Sequence, residues 1–491
     1  MPETCDRPTA AVKTIASAEQ HTHYRYDAAG RLIEAKDAKG QVTRYEYDKA
    51  GRRTAVVLEE TAAGEPRSET TYDDAGNMKS VTDFNGEVTV YEYDAQGRLK
   101  VRNLEDDPDV RYTYTANGQI ETIVTADGQT TEFRYDSQGR LVGRKDPQGQ
   151  GQYIAGKDVS IAYEYDAAGN ITLVETPEGS VSYQYDAWNR LAVVTETDAG
   201  GVDPDVTEYK YDPAGNLAAT YFANGVVEYR DYEALNRLTE VRSVRLADGQ
   251  ELNRFTYTLN PAGHRESVTE SWLDSNGVEQ ERTVNYRYDD LDRLVQEEIA
   301  GGETTKYAYD AVGNRESVTV VSSGVTRTYE YDANNRLVSE SIAGVEQVAY
   351  EYDLNGNLTA VSEGGVTLRY VWDDRNRLVA VQQDGVVEPL VTYAYDDDNI
   401  RVSATVGGVT TSYLLDKNRP YAQVLEEYED GSSTVSYAYG LDLIEQERGG
   451  VESTYLTDGL GSTRGLTGAG GEVTDTYTYD AYGNLVDAGG E

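Results

Sequence analysis

The sequence is poor in the residues that usually fill sealed apolar interiors. Its 491 residues include 4 Phe, 2 Met, 3 Trp and 1 Cys. Tyr, by contrast, occurs 41 times and Gly 47 times. Because tyrosine combines an apolar ring with a polar hydroxyl, it suits a sheet whose faces stay within reach of water. We therefore expect a thin structure rather than the several globular domains that the length alone would suggest.

Further absences narrow the class of protein. Cys5 is the only cysteine, which excludes an intrachain disulfide framework. No apolar run is long enough to cross a membrane, and residues 1–11 lack the apolar stretch of a signal peptide. We expect no membrane insertion, and we expect any export signal to lie outside this chain.

The charge is strongly acidic and spread along the chain. There are 87 Asp and Glu against 44 Lys and Arg, a formal net charge of −43. Such a surface repels phosphate backbones, so we expect no nucleic-acid partner. Two explanations of the charge stay open: it promotes solubility, or it forms an acidic inner wall that holds a basic cargo.

A short motif recurs throughout the chain and sets its organisation. Tyr26 and Tyr47, and again Tyr72 and Tyr93, stand 21 residues apart. The Tyr-Asp dipeptide occurs at Tyr26, Tyr47, Tyr72, Tyr93, Tyr135, Tyr165, Tyr185, Tyr211, Tyr288, Tyr309, Tyr331, Tyr352, Tyr395 and Tyr479, with degenerate copies at Tyr114, Tyr232, Tyr257 and Trp372. A fixed period of this length indicates a repeat architecture, with longer steps as loop insertions.

Each repeat has the pattern of one β-hairpin. In residues 86–104, Thr89, Tyr91 and Tyr93 alternate with Val90 and Glu92, as in a strand. A turn and a return strand follow. The sequence thus predicts an all-β fold of tandem hairpins, with about forty strands in one long antiparallel strip that curls into a spiral or cocoon-like shell. At about 4.8 Å per strand, the strip would measure about 190 Å.

The turns come in two forms. One carries Gly-Asn, as at Gly169-Asn170, and the other Asn-Arg, as at Asn335-Arg336. Gly and Asn both tolerate the left-handed backbone of tight turns. Two roles for the arginine stay open: it pairs with the Asp of an adjacent unit, or it is a solvated turn residue.

The YDxxGN and YDxxNR units over residues 24–400 resemble the Rhs/YD-repeat family, which includes bacterial Rhs toxins, the C component of Tc toxins and the teneurins. Residues 437–444, 455–464 and 477–485 are similar to the Rhs-associated core of bacterial members. On this basis we expect a leader at 1–20, a hairpin array at 21–404 and a core-like β region at 405–491.

The resemblance implies a shell or scaffold that encloses and carries a C-terminal toxin. It implies a toxin cargo or a capping or delivery protein as partner, and a secreted or cell-surface location in bacteria. In relatives the core is followed by a self-cleavage segment with DPxG elements and by the toxin. We expect both to be missing here, and we assign no protease role to Asp212-Pro213, which lies in a repeat turn.

We expect the motif residues to act structurally, and we expect no catalytic residue, cofactor or metal. The repeat-motif residues are Tyr93, Asp94, Gly97, Tyr165, Asp166, Gly169, Asn170, Tyr331, Asp332, Arg336, Tyr352, Asp353, Gly356 and Asn357. The core-motif residues are Asp458, Gly461, Ser462, Arg464, Tyr479, Asp480, Gly483 and Asn484.

Several sequence patterns that could indicate a ligand-binding or metal-binding site are set aside. Residues 151–157 match most of a phosphate-binding loop, but Asp158 stands where Ser or Thr should hold magnesium. His21 and His23 lack an evident third metal ligand. Residues 396–399 lack the spaced ligands of an EF-hand and predict an acidic turn.

Ser462 is not in a nucleophile elbow, and no credible catalytic set accompanies it. The tyrosine-rich face would suit sugar stacking, but period-2 tyrosines more often pack a sheet. Two further hypotheses stay open. One is an adhesion scaffold with contact loops at 195–205 and 240–252, and the other, less favoured, is an autoprocessing enzyme. The ends of the sheet also predict self-association.

Overall fold

The protein is described by a computed structural model that covers residues 21–490 except 62–63, 105–106, 127, 148–152, 199–200 and 202–203. The predicted leader at 1–20 lies outside the described residues. These residues contain 42 β-strands and no helix, and hence no helical segment suited to spanning a membrane. The strands form one antiparallel sheet that is not closed. The prediction of an all-β strip with about forty strands is confirmed.

The strands run in chain order through the whole described chain. The first half comprises β1 His23–Tyr26, β2 Leu32–Lys36, β3 Val42–Tyr47, β4 Arg53–Val57, β5 Arg67–Tyr72, β6 Met78–Thr82, β7 Val88–Tyr93, β8 Leu99–Leu104, β9 Asp107–Tyr114, β10 Ile120–Val124, β11 Thr130–Tyr135, β12 Leu141–Lys145, β13 Ile161–Tyr165, β14 Ile171–Glu175, β15 Gly179–Tyr185, β16 Leu191–Asp198, β17 Asp205–Tyr211, β18 Leu217–Tyr221, β19 Val226–Tyr232, β20 Leu238–Arg245 and β21 Gln250–Leu259. The second half comprises β22 Arg265–Leu273, β23 Glu279–Tyr288, β24 Leu294–Ile299, β25 Thr304–Tyr309, β26 Arg315–Val320, β27 Val325–Tyr331, β28 Leu337–Ile342, β29 Val345–Tyr352, β30 Leu358–Glu363, β31 Val366–Trp372, β32 Leu378–Gln383, β33 Val391–Tyr395, β34 Arg401–Val406, β35 Val409–Asp416, β36 Gln423–Glu429, β37 Ser432–Tyr439, β38 Leu443–Arg448, β39 Val451–Thr457, β40 Thr463–Thr467, β41 Val473–Tyr479 and β42 Leu485–Gly489.

A β-bulge accompanies the motif tyrosine of the hairpins. In the β7–β8 pair, Glu92 lies opposite Val101 but the next residue, Tyr93, lies opposite Leu99, so the register shifts by one residue. The same shift occurs at Tyr165, Tyr331 and Tyr479. Bulges bend a strand and increase its twist. The alternation seen in the sequence did not predict them.

The described residues fall into two compact units. Among the described residues, unit 1 draws on those within Met1–Thr130, Asp289–Val295 and Thr305–Val409, and unit 2 on those within Thr131–Tyr288, Gln296–Thr304 and Thr410–Glu491. Each unit thus contains two long runs of hairpins that are far apart in the sequence. The predicted division at residue 404 concerns the motif pattern along the chain, and it stays a prediction.

Unit 1 has a thin interior. Its fully buried apolar side chains are mostly small, for example Ala55, Val57, Ala360 and Ala380. Alternating exposed and half-buried residues line most of its strands, as in β5 and β27. This composition agrees with the thin sheet predicted from the scarcity of Phe and Met.

Unit 2 contains larger apolar clusters. One joins Tyr163, Tyr183 and Tyr209 to Leu414 and Ile444. A second is centred on Phe255, and a third packs Val226 and Leu252 against Leu456. The first and third clusters contain residues of both runs, so residues after Thr410 complete the interior of this unit.

Candidate functional site

The YD turn is organised around its aspartate. The Oδ1 atom of Asp94 accepts hydrogen bonds from the backbone amides of Gln96 (2.9 Å) and Arg98 (3.0 Å). Its Oδ2 atom accepts a bond of 2.7 Å from Arg98 Nε. The bond from the Arg98 amide, with those from its side chain, lowers the pKa of Asp94. Gly97, at φ 77°, supplies the left-handed residue that lets the chain reverse.

The Gly-Asn turns use the same arrangement with an amide in place of the guanidinium. Asp166 Oδ1 accepts from the Asn170 amide at 2.9 Å, and Asp166 Oδ2 from Asn170 Nδ2 at 2.8 Å. The set Asp353, Gly356 and Asn357 repeats this geometry, as do Asp480, Gly483 and Asn484 in the core-like region. Gly169 and its counterparts carry the positive φ here.

The arginine of the Asn-Arg turn connects successive repeats. Arg336 Nε donates to Asp332 Oδ2 of its own turn at 2.6 Å, and Arg336 Nη1 donates to the Asp353 carbonyl of the next repeat at 2.7 Å. Its guanidinium also stacks 5.1 Å from the centre of the Tyr352 ring. Of the two roles considered from the sequence, pairing with the Asp of an adjacent unit is found in part: Arg336 reaches Asp353 through the backbone carbonyl of that residue, whereas the carboxylate that it binds belongs to its own turn.

The motif tyrosines tie each hairpin to the preceding one. Their hydroxyls donate to a backbone carbonyl near the start of the preceding return strand, at 2.6–3.0 Å. The donor and acceptor pairs include Tyr47–Leu32, Tyr72–Arg53, Tyr93–Met78, Tyr114–Leu99, Tyr165–Leu141, Tyr185–Ile171, Tyr211–Leu191, Tyr309–Leu294, Tyr331–Arg315 and Tyr395–Leu378. Phe could not make these bonds, which explains the excess of Tyr over Phe at this position.

In unit 1, turns of the two distant runs meet; we call this contact the unit 1 seam. Asn355 Nδ2 donates to Asp83 Oδ2 at 2.6 Å, and Asn355 Oδ1 accepts from the Phe84 amide at 2.7 Å. Asn85 Nδ2 returns a bond of 2.8 Å to Asp353 Oδ2. These contacts link residues about 270 positions apart, and all of them are polar.

Further along the same seam, Lys39 Nζ lies 3.2 Å from Asp310 Oδ2, and Asn334 Nδ2 donates to the Glu59 carbonyl at 3.0 Å. The YD turns at 310, 332 and 353 therefore meet, in order, the parts of the first run near 39, 59 and 84. Contacts across the unit 1 seam thus recur about once per repeat in both runs.

In unit 2, turns of the core-like region dock on buried tyrosines; we call this contact the unit 2 seam. Tyr163 donates to Asp416 Oδ1 at 2.7 Å, whereas the Tyr257 hydroxyl accepts from the Gly459 amide at 2.8 Å. Tyr209 accepts from the Leu441 amide at 3.3 Å. Burial, with the charge of Asp458, raises the pKa of Tyr257 to about 12.

Gly440 and Gly459 allow this close approach. A Cβ on Gly459 would lie 2.6 Å from Leu238 Cδ2, and a Cβ on Gly440 would overlap the Tyr209 hydroxyl. The sequence analysis placed both glycines in core-like segments and Tyr257 among the degenerate repeat copies, but it predicted no docking contact for them and did not single out Tyr163 or Tyr209. The only local signal is the Gly that follows Tyr439 and Asp458 at these turns.

A buried ion cluster completes the unit 2 seam. Arg464 Nη2 donates to Glu270 Oε2 at 2.9 Å, Arg464 Nη1 lies 3.2 Å from Asp458 Oδ2, and Arg282 Nε donates to Glu270 Oε2 at 2.5 Å. Burial alone would raise the pKa of Glu270, but hydrogen bonds and charge from Arg464 and Arg282 lower it overall. Each charge in this cluster thus has a partner of opposite sign.

The other core-motif residues form turns. Asp458 Oδ1 accepts from the Leu460 and Ser462 amides, and Gly461 has φ 80°. Ser462 takes part through its backbone. The Tyr479 carbonyl accepts a bond of 2.9 Å from Arg282, which brings the Asp480 turn against the first run of unit 2.

Of the patterns set aside in the sequence, the acidic turn brings potential ligands together: one carboxylate oxygen from each of Asp396, Asp397 and Asp398 lies within 4.8 Å of the others. The His21 and His23 rings lie 6.3 Å apart, and no described carboxylate or thiol joins them in a metal-binding group. Gly151 and Gln152 lie outside the described residues. Asp396 forms another turn, in which Oδ1 accepts from the Asp398 and Ile400 amides.

Comparison with known families identifies the repeats. The family model for teneurin YD-shell matches residues 61–158 and 264–489, which is more than half of the chain. The RHS repeat model matches residues 17–63 and 163–203. The resemblance inferred from the YD motifs is therefore confirmed.

Curated relatives and solved structures match parts of larger proteins. The chain is 28% identical over 200 residues to the tRNA3(Ser)-specific nuclease WapA of Bacillus spizizenii and 29% identical over 200 residues to the tRNA nuclease WapA of Bacillus subtilis strain 168, covering 40% of this chain and 8% of each relative. A chain in the crystal structure of TcdB2-TccC3-Cdc42 superposes with a TM-score of 0.57 at 14% identity, over 96% of this chain and 31% of that one. The crystal structure of TcdB2-TccC3 gives 0.56 at 15% identity, over the same shares. The YD-shell family match and the repeats together describe a shell-like scaffold, and the solved structures share its fold.

Proposed function

Because this chain belongs to the teneurin YD-shell family, we propose that it is a wall segment of a shell that encloses and carries a toxin polypeptide. The observation that supports the proposal most directly is the presence of one seam within each unit. Within each unit, two distant runs of hairpins are fastened to each other, as a wall built from one strip requires. The Tyr, Asp, Gly, Asn and Arg residues of the motif form the turns and the contacts between hairpins that hold this wall together.

The likenesses support a containing role rather than a catalytic one. The chain spans 8% of the length of the WapA relatives and 31% of the matched chain in the TcdB2-TccC3-Cdc42 structure. Both nucleases are far longer than the matched segment, so we do not propose nuclease activity for it. The proposed partners are a toxin cargo and a capping or delivery protein, and the proposed location is outside the bacterial cell or on its surface.

The adhesion scaffold remains the second candidate, and exposed side chains at turns favour it. Trp188 is 77% exposed and Tyr421 85% exposed. Large apolar groups at turn tips are suitable contacts for a partner surface. The two candidates differ in which surface acts, since containment uses an enclosed face and adhesion uses the tips.

A protection experiment tests containment. An unfolded reporter polypeptide is fused after Glu491, and its digestion by a nonspecific protease is compared with that of the same reporter added in trans to the chain. Containment predicts digestion slower by about tenfold or more for the fused reporter, because access then requires opening of the wall. Cryo-electron microscopy of the fusion should show density for the reporter within an enclosed space.

Equal digestion of the fused and the free reporter would reject self-sufficient containment. Binding of the unfused chain to cells, abolished by Trp188→Ser and Tyr421→Ser, would instead support adhesion. Because both residues are exposed, the substitutions leave the seams intact, so a loss of cell binding would not reflect unfolding.

A further inference from the structure

Five carboxylates gather at one place in unit 2. Glu196 on β16 lies directly opposite Asp205 on β17, and Glu447 on β38 lies directly opposite Glu452 on β39. Glu445 stands two residues before Glu447. Like charges placed directly across a strand pair destabilise a sheet, so two such pairs side by side are costly to the fold alone.

The carboxylates converge closely. One carboxylate oxygen from each of Asp205, Glu445 and Glu452 lies within 4.8 Å of the others. Opposite ligands of a calcium ion, each at about 2.3–2.6 Å from the metal, are separated by a similar distance. The geometry thus suits one hard cation with oxygen ligands.

Glu445 gives a second and independent indication of a ligand. Its side chain is 7% exposed, yet no hydrogen bond or ion pair reaches its carboxylate from the part of the chain that the structure describes. A buried carboxylate without a partner is rare, because desolvation penalises its charge heavily. Its oxygen points into the group formed by Asp205 and Glu452.

The residues paired across the strands with Glu196, Glu445 and Glu447 include no cation. Across the strands from these acids stand neutral residues: Ala438 and Thr454 opposite Glu445, Ser436 opposite Glu447, and Val181 opposite Glu196. The mutual repulsion is expressed in the pKa values. Burial and the surrounding carboxylates raise the pKa of Glu445 to about 8 and that of Glu196 to about 7.

We propose that Asp205, Glu445 and Glu452, flanked by Glu196 and Glu447, form a calcium-binding site that fastens the β16–β17 hairpin to the β38–β39 hairpin within unit 2. Carboxylate oxygens from both runs provide the protein ligands, and water completes the coordination shell. The site does not rest on the proposed function, since it would stabilise this unit in any role.

Thermal unfolding and calorimetry of the full chain test the proposal. After treatment with a chelator, addition of CaCl2 at pH 8 should raise the Tm of the wild-type chain in a saturable manner by about 3 °C or more, whereas NaCl of equal ionic strength should not. Calorimetry at pH 8 should show one calcium ion bound per chain.

Glu445→Gln is the decisive variant, and Glu281→Gln, at an exposed position of the same unit, is its control. In Glu445→Gln the calcium-induced rise in Tm should disappear, while the Tm without calcium should increase because repulsion is relieved. Glu281→Gln should retain the full calcium response. Glu452→Gln, at an exposed ligand, provides a second test should Glu445→Gln fail to fold.

The proposal is overturned if calcium raises the Tm of Glu445→Gln and Glu452→Gln as much as that of the wild type. Such a result would place the calcium effect elsewhere, for example at the acidic turn of residues 396–398. It is equally overturned if the wild type responds to calcium no more than to NaCl. Neither outcome would bear on the containment of a cargo, which the reporter fusion measures separately.

Discussion

In unit 1 the two runs of hairpins meet through amide and carboxylate side chains at the tips of turns, whereas in unit 2 they meet through buried tyrosines, apolar clusters and a buried ion cluster. The same hairpin therefore serves two kinds of junction. Asn355 and Asp83 represent the first, and Tyr257, Phe255 and Arg464 the second.

The difference teaches where the rigidity of this fold resides. Hydrogen bonds between half-exposed groups contribute about 1 kcal/mol each, because water competes for the same groups. Burial of a large apolar side chain contributes about 1.5–3 kcal/mol and is not weakened in this way. Unit 2 should consequently be the more resistant junction, and the unit 1 seam the more adjustable one.

Truncation of the central aromatic of unit 2 should give the largest effect. Phe255 is 1% exposed and packs with Val241, Tyr257 and Val268. We expect Phe255→Ala to lower the free energy of unfolding by about 3–5 kcal/mol, measured by urea unfolding and by hydrogen exchange of β20–β23. Phe84→Ala in the half-buried unit 1 seam is the control. An equal loss in that variant would contradict the distinction between the units.

Alkaline pH should loosen unit 2 with an intermediate effect. The pKa of Tyr257 is raised to about 12 in the folded chain, against about 10 for an unfolded tyrosine. The folded state favours the neutral phenol of Tyr257. The stability that this preference contributes is therefore complete below pH 10 and is lost as the pH rises through about 12. It amounts to stability on the order of 2 kcal/mol. Hydrogen exchange of β39 and β40 should accelerate in this window beyond the intrinsic base-catalysed rise that all amides show, and Tyr257→Phe should remove this excess; an unchanged profile would count against the docking role.

Removal of one seam amide in unit 1 should give the smallest of the three effects. Asn355→Ala leaves the Phe84 amide without its acceptor and removes one of two amide donors to Asp83 Oδ2, at a cost of about 1 kcal/mol. Faster exchange of the Phe84 amide, with β20–β23 unaffected, would locate the loss. Asn276→Ala, in an exposed turn of unit 2, should be close to neutral. If the two variants behaved alike, the seam would carry no stability of its own.

Local features of this protein could be predicted from its sequence, and distant ones could not. The hairpins, the two turn forms and the strip follow from the Tyr-Asp spacing and from the Gly and Asn positions, because these signals lie within a few residues of what they determine. The seams depend on side chains that meet across roughly 200 to 300 residues, and no local pattern marks Asn355 for Asp83 or Gly459 for Tyr257.

The acidic group of unit 2 shows the same limit. Glu196 and Asp205 flank one loop, and Glu445, Glu447 and Glu452 flank another. In a chain with 87 acidic residues neither set stands out. The bulges were missed for a different reason, because an alternating pattern is insensitive to a single extra residue on one strand.

Contacts across the unit 1 seam recur at the period of the hairpin repeat. This regularity limits how the length of the chain can change. Contacting positions across it are separated by 268 to 298 residues, which is about thirteen to fourteen periods of the hairpin motif. Gain or loss of a whole repeat in the intervening chain would present the next turn of the series to the same partner, whereas a change of half a repeat would present a turn of the opposite edge. The length of this chain can therefore change in evolution only by whole repeats if the contacts of the seam are to be kept.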